Sequence, residues 1–201
     1  MTNKEHWENV YTTKQPNEVS WTQEKPTHSL DLIKKCGFDK RVKIIDVGGG
    51  DSNLVDFLLD LGYQNITILD ISEKAIERAQ QRLGKRAEQV TWIVSDIVEF
   101  EPEENYGIWH DRAAFHFLTS ENQVEKYLSI VSKSVINNLI LGTFSEDGPL
   151  KCSGLEISQY TLEKMDAIFG EKFNILESFK DNHRTPFNTT QNFLYCRFAR
   201  K

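Results

Sequence analysis

Short apolar runs alternate along this chain with longer segments whose apolar positions recur every three or four residues. Val42–Val47 is an apolar run that suits a parallel strand covered on both faces, Asn65–Asp70 reads as a second buried strand, and Val90–Asp96, Tyr106–Asp111 and Asn138–Phe144 read as three further strands. Between them lie amphipathic stretches. Leu54, Leu58 and Leu61 fall on one stripe beside Val55 and Leu59, opened by Ser52 or Asp51 as cap. Ala75, Ile76, Ala79 and Leu83 form a second stripe after Ser72. Val124, Tyr127, Leu128 and Val131 form a third, opened by the capping box Ser120-Glu121-Asn122-Gln123. Further helices are predicted at Asn3–Tyr11, at Thr27–Cys36 with Thr27 as cap, and after Thr161 with Leu162, Met165 and Ile168 inward. Gly37, Gly62 and Gly84 each end a helix.

Phe173–Phe179 and Asn192–Phe198 alternate as two final strands, and Lys180–Thr190 between them has no helical periodicity. Two strands joined without a crossover helix must run antiparallel. The pattern predicts an α/β fold: a doubly wound, seven-stranded, mostly parallel, Rossmann-like sheet with an antiparallel C-terminal strand. Without a repeat, low-complexity tract or linker, residues 1–201 read as a single domain. Residues 1–25 form an arm that precedes the first strand.

The first strand runs into Gly48-Gly49-Gly50, where Gly48 and Gly50 suit positive φ or a ligand lying against bare backbone. A strand, a glycine turn and a helix N-terminus make a site for a nucleotide-like ligand. The dinucleotide pattern Gly-x-Gly-x-x-Gly fails at Asn53. What stands here is Asp46-x-Gly48-x-Gly50-x-Ser52, which resembles the first motif of the class I S-adenosylmethionine-dependent methyltransferases. The resemblance implies S-adenosylmethionine as cofactor and S-adenosylhomocysteine as product. It places Asp46 near the methionine part of the cofactor, within a lining that includes Gly48, Gly49, Gly50 and Ser52.

Two more acids end strands. Asp70 lies 20 positions after Gly50, the spacing at which a carboxylate meets ribose hydroxyls in such folds; Ile71 joins the same lining. Asp96 closes the third strand, and the resemblance assigns Asp96 to the adenine amino group and the Ile97 N–H to a ring nitrogen. The arm carries His6-Trp7-x-x-x-Tyr11 and Val19-Ser20-Trp21, which looks like the arm of small lysine and small-molecule methyltransferases. Trp7, Tyr11 and Trp21 are then aromatic faces over a sulfonium, a lid that also packs onto the domain.

The fourth strand leads into His110-Asp111-Arg112-Ala113-Ala114-Phe115-His116, at the end of the sheet that borders the ligand crevice. It resembles the Asp-Lys-Gly-Thr-Leu-Asp element of small lysine methyltransferases. Asp111 matches the first acid, Arg112 and Ala113 replace Lys and Gly, and His116 stands where the second acid belongs. It does not match Asn/Asp-Pro-Pro-Tyr, an element of amide and nucleobase methylation. Asp111, His110 and His116 are the candidates to orient or deprotonate an acceptor, Asp111 with cofactor contact as well. The same two histidines fit structural hydrogen bonding.

Composition narrows the partners. Acidic residues outnumber basic ones by 30 to 24, for a formal charge of −6, which disfavours nonspecific nucleic-acid or anionic-membrane binding. Cys36, Cys152 and Cys196 are widely spaced, so neither a zinc ribbon, another metal site nor a disulfide framework is expected. The odd cysteine count, with no apolar leader or membrane-length stretch, points to the cytoplasm. The acceptor is expected to be a small molecule or a protein side chain. The acidic balance suits a cationic target, whereas Arg112, Lys151 or Arg184 facing the crevice suits a carboxylate or thiol. Two other classes fit parts of the pattern: a non-catalytic module that binds S-adenosylmethionine or S-adenosylhomocysteine, and an NAD-dependent oxidoreductase, which Asn53, Asp96 and the final hairpin disfavour.

Overall fold

The computed structural model describes residues 2–201. The chain begins with α1 (Asn3–Thr13) and α2 (Thr27–Lys35), and then alternates β1 (Lys43–Val47), α3 (Leu54–Asp60), β2 (Asn65–Asp70), α4 (Glu73–Leu83) and β3 (Val90–Val94). It continues through β4 (Tyr106–Arg112), α5 (Glu121–Ser134), β5 (Val135–Phe144), a small hairpin β6 (Lys151–Cys152) and β7 (Leu155–Glu156), α6 (Leu162–Phe169), β8 (Phe173–Arg184) and β9 (Thr190–Arg200). Seven strands form one sheet in the order β3-β2-β1-β4-β5-β9-β8, and β9 runs antiparallel to both its neighbours. The mostly parallel sheet with its antiparallel final strand is the expected architecture.

Strand alternation distributes the apolar runs over two layers. Ile45, Val47, Trp109, Leu139 and Leu141 pack under α5 and α6, against Tyr127, Val131, Met165 and Phe169. Ile44, Ile68, Ile108 and Ile140 face the opposite layer, with Leu30 and Ile33 of α2 and Leu54, Val55 and Leu58 of α3. Full burial of each such side chain contributes about 1.5–3 kcal/mol. The two layers together leave the carboxyl edge of the parallel strands open as the face for a site. Among the described residues, no helix is long and apolar enough to cross a membrane.

Local expectations differ in three places. Thr27 does not cap α2: it is the first helical residue, Pro26 holds the cap position, and no side chain bonds the first turn. The helix after the glycine turn starts at Leu54, because Asn53 at its cap donates to the Gln23 and Glu24 carbonyls, while Ser52 Oγ accepts only from the Leu54 N–H. Most of the stretch read as a connection between the last two strands is itself paired, through Arg184↔Thr190. Polar residues such as Lys180, Asp181 and Asn182 obscure the alternation there, but the backbone ladder does not depend on apolar side chains.

Candidate active site

A cleft opens where β1 and β4 diverge, the point at which strand order reverses. Gly48 lines it after β1, Asp70 and Ile71 after β2, Ser95, Asp96 and Ile97 after β3, and Arg112, Ala113 and Ala114 after β4. The glycines fit this turn for internal reasons. Gly48 has φ +68°, and a Cβ there would stand 2.8 Å from the Ala114 Cβ. A Cβ on Gly50 would meet the Ala75 Cβ at 2.5 Å and Asp70 Oδ2 at 2.6 Å.

That crowding lets Asp70 grip the turn. Its Oδ2 accepts from the Gly50 N–H at 3.0 Å and its Oδ1 from the Ser72 N–H at 2.8 Å. Burial pushes the Asp70 carboxyl up to about 6, although the two backbone donors act in the other direction. Each oxygen retains lone-pair capacity for a second donor in the cleft. Asp96 engages only Oδ1, with the Val98 N–H at 3.1 Å, and stands half-exposed in the cleft.

The arm covers this site. Glu8 of α1 reaches the N-terminus of α4 and accepts from the Glu73 N–H (2.8 Å), the Lys74 N–H (3.1 Å) and the Ser72 hydroxyl (3.0 Å). Burial opposes the Glu8 carboxylate, but these donors outweigh it and hold its pKa below the ordinary value. A carboxylate at a helix N-terminus is also favoured by the helix dipole. Trp7 sits edge-on to Trp21 (5.5 Å between centroids) and to Phe117 (5.1 Å), with Tyr11 6.3 Å from both tryptophans. The segment that continues from Tyr11 is tied down at Ser20 by His183 and Gln191, and at Trp21 by Arg112.

A model of the methyltransferase domain matches residues 44–135. The eEF1A lysine and N-terminal methyltransferase of Bos taurus is 24% identical over 135 residues, covering 64% of this chain and 18% of that protein. Malonyl-[acyl-carrier protein] O-methyltransferase 2 of Ilyobacter polytropus is 24% identical over 163 residues, 75% of this chain and 62% of that one. The chain thus spans less than two thirds of the length of these relatives. Among solved structures, the N-methyltransferase NodS from Bradyrhizobium japonicum with S-adenosylhomocysteine superposes with a TM-score of 0.73 at 16% identity, covering 99% of both chains. A SAM-dependent methyltransferase from Anabaena variabilis gives 0.77 at 16%, covering 100% and 96%.

Residues 44–135 thus carry the methyltransferase-domain pattern, and the whole chain has the fold of S-adenosylmethionine-dependent methyltransferases.

On this fold, the residues singled out in the sequence fall into three groups. Trp7, Tyr11, Trp21, Gly48, Asp70, Ile71, Asp96 and Ile97 converge on the one cleft. Asp46, Gly49 and Ser52 line an adjoining cavity, and Gly50 lines neither space. Both acids of the turn are already engaged by other side chains. Asp46 Oδ1 pairs with His110 Nδ1 at 2.6 Å, and Asp51 is paired with Arg78 and Arg82.

The three candidates for handling an acceptor proton are placed elsewhere. His110 is buried between Asp46 and Ser29, whose Oγ lies 2.8 Å from its Nε2, so both ring nitrogens are engaged in holding α2 to the strand ends. Asp111 accepts from the Ala114 and Phe115 N–H groups and from the Tyr127 hydroxyl at 2.9 Å, and it does not line the cleft. Burial pushes its carboxyl up to about 6, with those donors and the nearby His110 opposing. His116 is fully buried, stacked on Phe144 at 4.4 Å, and burial drives its pKa down to about 3. Asp111 instead fixes the loop after β4, where Ala113 adopts φ +68°.

Sequence patterns left Phe117 and Leu118 unmarked, while Ala114 stood only as a member of the segment after the fourth strand and Gln123 only as part of a capping box. Of the three basic residues offered to the crevice, Arg112 lines the cleft and Lys151 and Arg184 do not; Cys152, marked only as a lone cysteine, lines it too.

Proposed function

We propose that the protein transfers a methyl group from S-adenosylmethionine to a nucleophile on a small molecule or protein side chain. One observation carries this: acids from two successive strand ends, Asp70 and Asp96, meet in a cleft beneath an aromatic arm. S-adenosylmethionine supplies a methyl group on a sulfonium, which passes in line to the acceptor and leaves S-adenosylhomocysteine. Asp70 is placed to accept from ribose hydroxyls with its remaining lone pairs, and Asp96 and the Ile97 N–H to read an adenine edge. Trp7, Tyr11 and Trp21 exclude water and present π faces to a cation. The assignment of these residues follows the family pattern, and their shared lining of the cleft supports it.

Among the described residues, the cleft lining contains no histidine or lysine, and its carboxylates are Asp70 and Asp96. Positioning therefore supplies the rate, and the favoured acceptor is one already carrying a free lone pair at neutral pH, such as a carboxylate oxygen.

Calorimetric titration with S-adenosylhomocysteine tests the proposal. The wild type is expected to bind, and Asp96→Ala and Asp70→Asn to bind at least about tenfold more weakly, the loss of one charged hydrogen-bond acceptor. A folded wild type that shows no heat of binding would sink it.

A further inference from the structure

Arg112 is the last residue of β4 and lines both the cleft and the adjoining cavity behind Trp21. Its Nε donates to the Tyr195 hydroxyl at 2.9 Å and its Nη1 to the Trp21 carbonyl at 2.9 Å, while the guanidinium lies 4.6 Å over the Phe193 ring. Its Nη2 is buried with no hydrogen-bond partner.

The charge is as unmatched as the donor. Arg78 and Arg82, at the edge of the same glycine turn, both pair with Asp51. Arg112 has only a hydroxyl, a carbonyl and a π face. His116, Cys152 and His183 beside it are uncharged at neutral pH, and the two carboxylates that line the adjoining cavity with it are already engaged, Asp46 by His110 and Asp51 by Arg78 and Arg82. Burial drives the His116 pKa down to about 3 and lifts the Cys152 thiol to about 11. Burial, and then the Arg112 charge itself, lowers that of His183. Asp111, the residue before it, points to the opposite face of the sheet by strand alternation, bonded to Tyr127. A half-buried cation whose Nη2 is shut off from solvent and faces no counter-charge is costly, so the site is incomplete until an anion enters. The cleft is thereby polarised, with Asp70 and Asp96 toward one end and Arg112 toward the other.

We infer that Arg112 is the carboxylate-binding residue of the cleft, its free Nη2 receiving an oxygen of a bound carboxylate. This rests on the methyltransferase proposal for the identity of the ligands. Two sources carry that chemistry: the amino-acid end of the cofactor, and a carboxylate on the acceptor.

The experiment compares wild type, Arg112→Met and Tyr195→Phe by calorimetry with three probes. These are S-adenosylhomocysteine, 5′-methylthioadenosine (which lacks the amino-acid end) and benzoate, the last titrated both with and without S-adenosylhomocysteine present. Tyr195→Phe removes a support of Arg112 but keeps Nη2, and thermal melts confirm that each variant is folded; Arg112→Lys replaces Arg112→Met if the latter is not. If the cofactor is the source, Arg112→Met loses about 10- to 100-fold in S-adenosylhomocysteine affinity with 5′-methylthioadenosine unchanged. If the acceptor is the source, both nucleosides bind as in wild type and benzoate binding disappears. Tyr195→Phe changes either only slightly. Equal binding of all three probes by Arg112→Met and wild type overturns the inference while leaving the methyltransferase proposal intact. A wild type that ignores both nucleosides yet binds benzoate through Arg112 does the reverse, and one that binds none of the probes overturns both.

Discussion

Gly50 shows why the glycine turn tolerates so little change. Its backbone N–H is held by Asp70, and a methyl group on its Cα would collide with both Asp70 Oδ2 and Ala75. Gly50→Ala therefore has to displace the carboxylate that faces the cleft. The expected outcome is a loss of about 1–3 kcal/mol in stability together with weakened S-adenosylhomocysteine binding. Gly62 is the control. It has φ +82° and open space around an added Cβ, so Gly62→Ala strains the backbone by about 1 kcal/mol without touching the cleft. Urea unfolding and calorimetry on the two variants separate the effects. Equal binding losses in both would show that the turn responds to general instability and not to contact with Asp70.

At the scale of elements, the arm is held to the sheet domain chiefly by side chains that meet backbone groups. Glu8 collects three donors at the start of α4, whereas Ser72, the cap of that helix, also accepts from Ala75 N–H by itself. Glu8→Ala is expected to leave α4 folded and to loosen α1, at a cost of about 1–2 kcal/mol to arm docking. Hydrogen exchange should accelerate over residues 3–25 and stay unchanged in β1 and β4; uniform acceleration would refute a separate latch. The elements themselves were legible in sequence because apolar runs and amphipathic stripes report burial, and burial is what the sheet and its helices require. The glycine turn and the strand-end acids that line the cleft were legible too, since both are local signals. The proton-handling candidates were not. His110 meets Ser29, and Asp111 meets Tyr127, across long sequence separations, so the bonds that occupy them carry no mark in the motif where they stand. Phe117 and Gln123 reach the cleft only through the path of the chain after β4.

Over the whole molecule, buried titratable groups set opposing responses to pH. Asp70 and Asp111 sit near 6 in the folded state against an ordinary 3.8, so the folded protein binds more protons than the unfolded chain between those values. Their contribution to stability is fully present below about 3.8 and is lost as pH rises through about 6. Lowering pH from 7 to 5 recovers about 1 kcal/mol from each. His116 acts in the opposite sense. It stays neutral when folded down to about 3, while the unfolded chain protonates near 6.5. Its contribution is present above about 6.5 and falls by about 2 kcal/mol over the same interval, and the lowered pKa of His183 adds to that loss. The wild type is therefore expected to change little in stability between pH 7 and 5. His116→Phe exposes the balance, because both His116 ring nitrogens lack partners and the ring stacks on Phe144, so a phenyl ring fits without removing a hydrogen bond. At pH 7 the variant should be as stable as wild type or more so. Toward pH 5 it should gain stability, where Asp111→Asn should lose it. Urea unfolding at pH 7, 6 and 5 reads both slopes directly. If His116→Phe loses stability on acidification as steeply as Asp111→Asn does, the buried acids do not titrate near 6 and the opposition is absent.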